Sequence, residues 1–255
     1  MSGSYSADSG SRTAERLRLF AQPLVALVLV VVVLAVAFSR GDDVVVSRNV
    51  NASTLLTLTW QHLLMSVAVA VIVVLVAVPL GMLLSRSWAR RVSPLIIGLA
   101  NMGQAAPSVG LLVLFFLLTN GTTGFWIATL PIAVYALLPV LRNTLVGLQQ
   151  VDRSLIDAGR GIGMSGFSVL TRIELPLAVP FILAGLRTAL VLAVGTATLA
   201  WFVGAGGLGE LIDTGYKLSN WTVLSVGAVL AMALALLVDW CGGLAERYLS
   251  PKGLR

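Results

Sequence analysis

The chain has 255 residues, of which 58% are hydrophobic and only 11% are charged, and its formal net charge is +6. A soluble domain of this length does not need so much apolar sequence, so the composition indicates an integral membrane protein. We attribute the positive charge to contact with anionic lipid headgroups, and we exclude nucleic acid as a partner.

Six apolar stretches are long enough to cross a hydrocarbon layer about 30 Å thick as helices. In chain order they are residues 21–38, 60–84, 94–118, 125–145, 177–203 and 221–244. The sequence therefore predicts an all-α membrane protein with about six transmembrane helices.

Lys and Arg predict the orientation of these spans, because positive residues stay on the cytoplasmic side of short loops. Residues 12–18 contain three Arg and place the N-terminus inside. Counting through six spans leaves few positive residues outside, namely Arg40, Arg48 and Lys217. Arg187 lies within a span, and the rest of the 17 Lys and Arg residues lie inside. Both termini are therefore predicted to be cytoplasmic.

The N-terminal region has two interpretations. We expect residues 1–20, which open with a Ser-rich stretch, to form a disordered cytoplasmic tail, and residues 21–38 to form an additional first transmembrane helix. However, Ala35-Val36-Ala37 is similar to a signal-peptidase site behind a basic and an apolar region, and cleavage there would leave five spans. We favour retention, because the apolar run from Leu24 to Phe38 is long for a signal peptide.

Polar and helix-breaking residues interrupt several spans. Proline frees a backbone carbonyl, which lipid tolerates only where neighbours or water satisfy it, and a charge within a span costs about 2.5–3.5 kcal/mol. These faces should therefore point inward, and Arg187 should snorkel, pair or line a wet cavity. Pro131 and Pro139 interrupt the fourth span. We predict a translocation pathway from the other interruptions, namely Asn101, Gln104, Pro107 and Arg187.

Residues 151–176 form a charged, glycine-punctuated segment between two apolar runs. The beginning of the segment can form a short helix, Gly163 and Gly166 permit a turn, and Pro176 is suited to starting the next helix. The predicted helix–turn–helix forms a rigid knob on the cytoplasmic side, and its size suits docking to another protein.

A glycine-rich turn follows the fifth span on the external side. It contains Gly204, Gly206, Gly207 and Gly209, and it matches GxGxxG only formally, because a dinucleotide site requires a preceding β-strand. Glycine here allows positive φ and close backbone approach. The following residues alternate apolar and charged at helical spacing, which predicts a short amphipathic helix that either anchors in the interface or contacts an external binding protein.

Catalytic and metal-binding patterns are missing from the sequence. It contains no paired intramembrane carboxylates, no Gly-x-Ser-x-Gly, no His-Glu-x-x-His and no Walker-type phosphate loop. His62 is the single histidine and Cys241 the single cysteine, so we predict no catalytic residue, no metal site and no disulfide within the chain.

The knob segment resembles the EAA loop of ABC importer permeases, EAA-x3-G-x9-I-x-L-P. The residues in register are Asp157, Ala158, Gly159, Gly163, Ile173, Leu175 and Pro176, and Arg160 lies in the short helix. Asp157 replaces the family's Glu and Gly159 its second Ala, which preserves the charge but weakens the helix by about 1 kcal/mol. In that family the knob sits in a groove of the cytoplasmic ATPase and couples nucleotide-driven closure to rocking of the membrane helices.

Further segments resemble permeases of glycine betaine/carnitine/choline ABC importers. They are NMGQAAPS at 101–108, YALLP at 135–139, LRNT at 141–144, GIGMS at 161–165, GTAT at 195–198 and GAGGLG at 204–209. The resemblance covers residues 57–244 and implies a MetI-like transmembrane domain with its coupling loop at 151–176. Residues 245–255 are then expected to form a cytoplasmic tail.

The resemblance also implies partners. These are two cytoplasmic ATP-binding subunits that hold ATP and Mg, a second permease subunit that is identical or paralogous, and an extracytoplasmic binding protein. No cofactor is expected in this chain, and the location implied is a prokaryotic plasma membrane.

Three alternatives remain open from the sequence. A permease of the same architecture could carry methionine or a sulfonate. A secondary transporter should show inverted repeats and intramembrane acidic ion sites, and we identify neither in the sequence. An intramembrane enzyme is disfavoured by the missing catalytic residues.

Overall fold

Long apolar sequence in a membrane must satisfy its backbone hydrogen bonds internally, and a helix does so within one segment. In the computed structural model, which describes residues 8–249 and the side chains of residues 20–249 other than position 90, every regular element is helical. The predicted all-α membrane fold is thus confirmed.

Eleven α-helices are found between residues 8 and 249. They are α1 Asp8–Ser39, α2 Val44–Asn49, α3 Ala52–Leu84, α4 Ser93–Ala105, α5 Ser108–Leu118, α6 Phe125–Gln149, α7 Arg153–Gly161, α8 Gly166–Val169, α9 Leu175–Ala197, α10 Gly209–Lys217 and α11 Trp221–Leu249. Short 3-10 helices cover Ser87–Arg91 and Ala200–Val203, and a π turn covers Leu170–Glu174.

Five helical segments in the described range are long and apolar enough to cross a membrane. They are residues 20–39 of α1, α3, α6, the continuous helix over residues 166–197, and α11. The pair α4 and α5 also passes this test but is bent by 99°, so the number of spans reaches six if the pair is one span.

The predicted third span, residues 94–118, thus consists of two helices that meet at a sharp bend. The break falls at Ala106, whose backbone is extended at φ −66° and ψ 141°, and at Pro107, which precedes α5. A proline ring excludes the α conformation from the residue before it, so the chain leaves α4 at this point. The proline was visible in the sequence, but a proline within a span can bend a helix or end it.

The bent pair nevertheless crosses the bundle. Ser93 at the start of α4 lines a cleft together with Gln149 at the end of α6. Helix α5 contacts the 3-10 helix Ala200–Val203, and Gly124, which follows α5 and precedes α6, donates its N–H to Val203 O at 2.7 Å. Because α4–α5 and α6 connect the same two ends in opposite directions, the pair is a broken span rather than a loop that returns to its own side.

Helix α6 is at the centre of the packing. It packs against α9, α3, α4 and α5, while α1, α9 and α10 pack against α11. One apolar cluster fills the space between α3, α6 and α9, and a smaller one joins α1, α2, α10 and α11. The bundle has two ends, which we name after the short helix at each: the α7 end, with Arg153–Gly161, and the α10 end, with Gly209–Lys217.

The terminal regions are more helical than we expected. Helix α1 begins at Asp8, so most of residues 1–20 continue the first span as helix rather than forming a disordered tail. Good helix formers between Glu15 and Leu19 allow this extension. Helix α11 runs to Leu249, into the tail expected at 245–255. Residues 1–7 and 250–255 lie outside the described part of the chain.

The possible signal-peptidase site lies inside α1. Ala37 is fully buried, and it belongs to the apolar cluster that α1 forms with α2, α10 and α11. A peptidase needs an extended and accessible cleavage site, so this environment favours retention of α1, which stays a prediction.

Candidate functional site

The predicted knob begins with α7. Asp152 caps this helix, and its carboxylate accepts the N–H of Ser154 at 2.9 Å, which lowers the pKa of Asp152 below its ordinary value. Helix α7 ends at Gly161, and Gly163 adopts φ +86°, a conformation that glycine tolerates best. The short helix and the turn at Gly163 therefore lie where the sequence predicted them.

Two predicted residues of the knob are brought together by packing. Gly159 is buried, and a Cβ atom on it would lie 2.7 Å from Ile173 Cδ1. Met164 N–H also donates to Gly159 O at 3.0 Å, which closes the turn back onto α7. The close contact with Ile173 gives a physical reason for glycine at a position where the resembled motif has alanine.

The surface of the knob carries both charged and apolar side chains. Asp157, Ala158 and Arg160 are exposed. Two large apolar side chains beside them are also exposed, Ile162 by 82% and Phe167 by 75%. Ile162 and Phe167 were not among the predicted site residues, although large apolar residues in a charged loop indicate a contact surface. A surface of this composition suits a protein partner better than water alone.

Pro176 lies in the first turn of α9, where the sequence predicted it, but the chain is already helical before this point. The helix begins at Gly166 and continues through the π turn at Leu170–Glu174 into α9, with Leu175 and Pro176 at the junction. Leu175 N–H donates to Leu170 O, five residues earlier. A proline inside a helix removes one backbone bond and crowds the preceding turn, and the wider π turn accommodates both effects.

A buried ion pair links the knob to α3. Glu174 is 3% exposed, and both of its carboxylate oxygens accept from the guanidinium of Arg86, which follows α3. The Arg86 Nε also donates to Ser85 Oγ at 3.0 Å. This pair was not predictable from the sequence, because 88 residues separate its members and nothing local indicates their pairing.

A cleft of about 930 Å³ lies at the α7 end, between the ends of α3 and α6, the start of α4, and α7. Asn101 of the predicted pathway lines it, as do Arg153 and Arg160 of α7. Gln104 is half-buried on the same helix but is not among the lining residues, and Pro107 is exposed at the break. The structure thus brings Asn101, but not the other two, next to the knob.

The prolines of α6 do not break it. Pro131 is buried, and Pro139 is half-buried with its carbonyl accepting from Asn143 Nδ2 at 2.8 Å. The carbonyl that Pro139 leaves without its helical donor is that of Tyr135, four residues earlier, and α6 nevertheless continues unbroken through both prolines.

Arg187 lies in a network of polar side chains between helices. Its guanidinium donates to both oxygens of Asp239 on α11, at 2.5 and 2.7 Å, and Gln22 of α1 donates to Asp239 at 2.6 Å. A carboxylate oxygen of Glu246 lies 3.9 Å from the Arg187 guanidinium. Gly242 has no side chain, which lets the Cβ and Cγ atoms of Arg187 pack closely against it. We expected Arg187 to snorkel, pair or line a wet cavity, and the structure shows pairing with an acidic side chain. The proposed role of Arg187 in the pathway stays a prediction.

The glycine turn at the α10 end has the backbone that the sequence predicted. Gly204, Gly206 and Gly207 have φ of +69°, +73° and +89°. At Gly209, a Cβ would lie 1.8 Å from Thr198 O, so only glycine lets α10 approach this closely. The amphipathic helix α10 follows with Leu211 buried, whereas the ring of Tyr216 is 75% exposed.

Two neighbouring side chains of α3 hold this turn. Gln61 Oε1 accepts the N–H of Gly207 at 3.1 Å. His62 is fully buried, with Nε2 2.9 Å from Val194 O and Nδ1 accepting from Leu208 N–H at 3.3 Å. This pattern fits the neutral imidazole with its proton on Nε2. The single histidine is therefore a structural link between α3, α9 and the turn.

Among the described residues, no group of three or more His, Cys, Asp or Glu side chains could hold a metal ion.

Comparison with known proteins identifies the family. Residues 77–251 match the family model of the binding-protein-dependent transport system inner membrane component. The matched range contains the knob, the cleft and the glycine turn.

Curated relatives are similar over most of the chain. The carnitine transport permease protein OpuCB of Listeria monocytogenes is 38% identical over 84% of this chain and 96% of its own length. The glycine betaine/carnitine/choline transport system permease protein OpuCB of Bacillus subtilis is 38% identical over 80% and 93%. The osmoprotectant import permease protein OsmW of Salmonella typhimurium is 36% identical over 80% and 96%.

A solved structure shares the fold. The inward-facing MetNI methionine ABC transporter superposes with a TM-score of 0.67 at 25% identity, covering 77% of this chain and 96% of the compared chain. Together with the matched family model and the relatives, this likeness confirms the predicted MetI-like architecture. The chain belongs to the family of binding-protein-dependent transport system inner membrane components, and it is a permease subunit of an ABC importer.

Proposed function

We propose that this permease carries a quaternary ammonium osmoprotectant, such as glycine betaine, choline or carnitine, into a prokaryotic cell. The observation that carries the proposal is the identity of 36–38% to permeases named for these solutes, over nearly their whole length. We place both termini in the cytoplasm and the α10 end outside, following the distribution of Lys and Arg.

The permease works with partners that supply energy and cargo. Two cytoplasmic subunits bind ATP and Mg, a second permease subunit completes the pathway, and an extracytoplasmic binding protein delivers the solute. A phosphate-binding loop is missing from the sequence, which supports a separate ATPase and no cofactor of the permease itself. The identity of the second permease, the same chain or a paralogue, is decided by which chains co-purify.

The knob transmits closure of the ATPase to the membrane helices. In this mechanism the ATPase contacts residues 157–163, which include the exposed Ile162, and it also contacts Phe167. Movement of α7 reaches α9 through the packing of Gly159 on Ile173, and it reaches α3 through the Glu174–Arg86 ion pair. The first contact joins α7 to the π turn that continues into α9, and the second joins the knob to the end of α3, so a displacement of α7 is passed on rather than absorbed.

The pathway residues enter this mechanism at the cleft. Asn101 lines the cleft beside α7, and we expect it to meet the solute near the cytoplasmic exit. Gln104 lies further along α4, and Pro107 lies at the break that follows this helix. Arg187 can contact the solute only if its guanidinium leaves Asp239, to which it donates at 2.5 Å.

Uptake of labelled glycine betaine tests the proposal, in cells that lack other betaine carriers and contain or lack this gene. We expect uptake to need the gene and to be reduced by unlabelled choline and carnitine but not by methionine or taurine. Loss of uptake in a strain without the binding protein serves as a control for the importer mechanism. Equal betaine uptake with and without the gene would refute the solute assignment.

A methionine importer is the second candidate. Its support is the fold shared with the MetNI methionine ABC transporter, at the lower identity of 25%. In the same assay, gene-dependent uptake of labelled methionine that choline does not reduce would favour this candidate over an osmoprotectant.

A further inference from the structure

A cation rests on an aromatic ring at the α10 end. The Lys217 ammonium lies 4.8 Å from the centroid of the Trp201 ring. The same ammonium is 2.8 Å from a carboxylate oxygen of Asp213, one helical turn earlier on α10. An aromatic face and a carboxylate thus converge on one positive group.

The positions of both groups are fixed by the surrounding structure. Trp201 stacks on Phe202, with ring centroids 4.0 Å apart and an angle of 29° between the rings. A Cβ on Gly209 would lie 2.8 Å from Trp201 Cδ1, so the first residue of α10 packs directly on the indole. The Asp213 side chain is only 15% exposed, so its carboxylate has little freedom to turn away.

The ammonium itself is exchangeable. The Lys217 side chain is 62% exposed, and an exposed cation–π contact or ion pair contributes only about 1 kcal/mol or less. Lys217 can therefore leave the ring at little cost when another cation competes for it. Phe202 is half-exposed beside the site, so the ring pair can be reached from the surface.

We propose that Trp201 and Asp213 form a binding site for the quaternary ammonium group of the solute, which Lys217 occupies when no solute is present. The inference rests on the proposed function and adds a specificity site in the permease itself. A quaternary ammonium has no N–H to donate, so a hydrogen-bonding pocket does not recognise it. An aromatic face with a neighbouring carboxylate does, because it offers negative potential without requiring a donor.

Saturation-transfer NMR on the purified permease in nanodiscs, with choline as the probe, tests this site without requiring transport. The nine equivalent methyl protons of choline report weak binding directly. We expect Lys217→Met to strengthen choline binding about three-fold, since the resident ammonium no longer competes, and Trp201→Leu to weaken it by a similar factor. Trp201→Tyr should retain most of the binding.

Matched controls separate a cation site from a merely apolar patch. Trp126 is 60% exposed at the same end, so Trp126→Leu should leave choline binding unchanged. The neutral isostere 3,3-dimethylbutanol should bind more weakly than choline, because it lacks the charge that the ring and the carboxylate attract. Equal binding of the isostere, or unchanged choline binding in Trp201→Leu, would overturn the proposal.

If Trp201→Leu does not fold, Asp213→Asn decides, because this isosteric change removes only the charge. Choline binding about three-fold weaker supports the site, and unchanged binding overturns it. The uptake assay separates this inference from the proposed function. Betaine uptake without choline binding at Trp201 would refute the site alone, whereas choline binding without uptake would refute the transported solute.

Discussion

At the scale of single residues, the glycine turn makes a sharp prediction at Gly206. Alanine there would have to adopt φ +73° and would place its Cβ 2.2 Å from Gln61 Oε1. We expect Gly206→Ala to lower the free energy of unfolding by about 2 kcal/mol or more, through backbone strain and loss of the Gln61 contact with the turn. Thermal unfolding of the purified protein in detergent measures this change.

The matched control is Gly195→Ala near the end of α9, where nothing lies within 4 Å of the added Cβ. This change should be neutral or stabilising by about 0.5–1 kcal/mol, because alanine restricts the unfolded chain and favours the helix. Equal effects of the two substitutions would show that the turn does not have the conformation described.

The Arg86–Glu174 ion pair gives the second prediction for single residues. Arg86→Met leaves the buried Glu174 carboxylate without its partner and should cost about 3 kcal/mol of stability. The double variant Arg86→Met/Glu174→Met should recover most of this loss, since no uncompensated charge remains. Thermal unfolding of the four proteins completes the cycle, and Arg142→Met, at an exposed arginine on α6, is the control. An additive double variant would contradict the pairing.

Glycines that adopt a positive φ were predictable from the sequence, whereas side-chain hydrogen bonds between distant parts of the chain were not. Gly163 and Gly204 follow from turn chemistry, because positive φ is a local property. His62 bonds to Leu208, 146 residues later, and Arg187 to Asp239, 52 residues later. No local pattern specifies such pairs, since the fold as a whole brings them together.

At the scale of elements, the knob carries the third prediction. Replacing Asp157 and Gly163 together by Ala removes an exposed charge and forces alanine to φ +86°. We expect normal membrane insertion, but solute uptake about ten-fold lower per ATP hydrolysed, because the ATPase no longer moves α7 correctly. Uptake and ATP hydrolysis of the assembled transporter, measured in the same vesicles, give this ratio.

Glu210→Ala is the control for the knob, since Glu210 is also an exposed acidic residue but lies at the opposite end. It should leave the ratio of uptake to hydrolysis unchanged. A wild-type ratio in the Asp157→Ala/Gly163→Ala protein would count against the coupling role of the knob.

Proline marks the elements that the sequence specified least well. Pro107 ends α4, Pro131 and Pro139 remain within α6, and Pro176 follows a π turn inside a continuous helix. All four lie in apolar or helix-forming sequence, so periodicity does not distinguish these outcomes. The outcome depends instead on whether a neighbouring helix or side chain satisfies the carbonyl that the proline frees, and this is decided by tertiary packing.

At the scale of the whole molecule, the broken span decides the topology. With α1 retained and the pair α4–α5 counted as one crossing, six crossings place both termini on the side of the knob. If the pair instead returned to its own side, the remaining five crossings would place the two termini on opposite sides. The cleft at the start of α4 and the contact between α5 and Ala200–Val203 favour the first arrangement.

The single cysteine makes this topology simple to test. In a Cys241→Ser background, Thr122→Cys and Ser154→Cys place one thiol each at an exposed position, at the α10 end and the α7 end respectively. We expect a membrane-impermeant maleimide added to intact cells to label the first and not the second, with both labelled after permeabilisation.

An N-terminal epitope should be protected in intact cells together with Ser154→Cys, because an even number of crossings separates them. An epitope accessible from outside, with Ser154→Cys still protected, would mean that the chain crosses an odd number of times before the knob, and the six-span arrangement would be wrong.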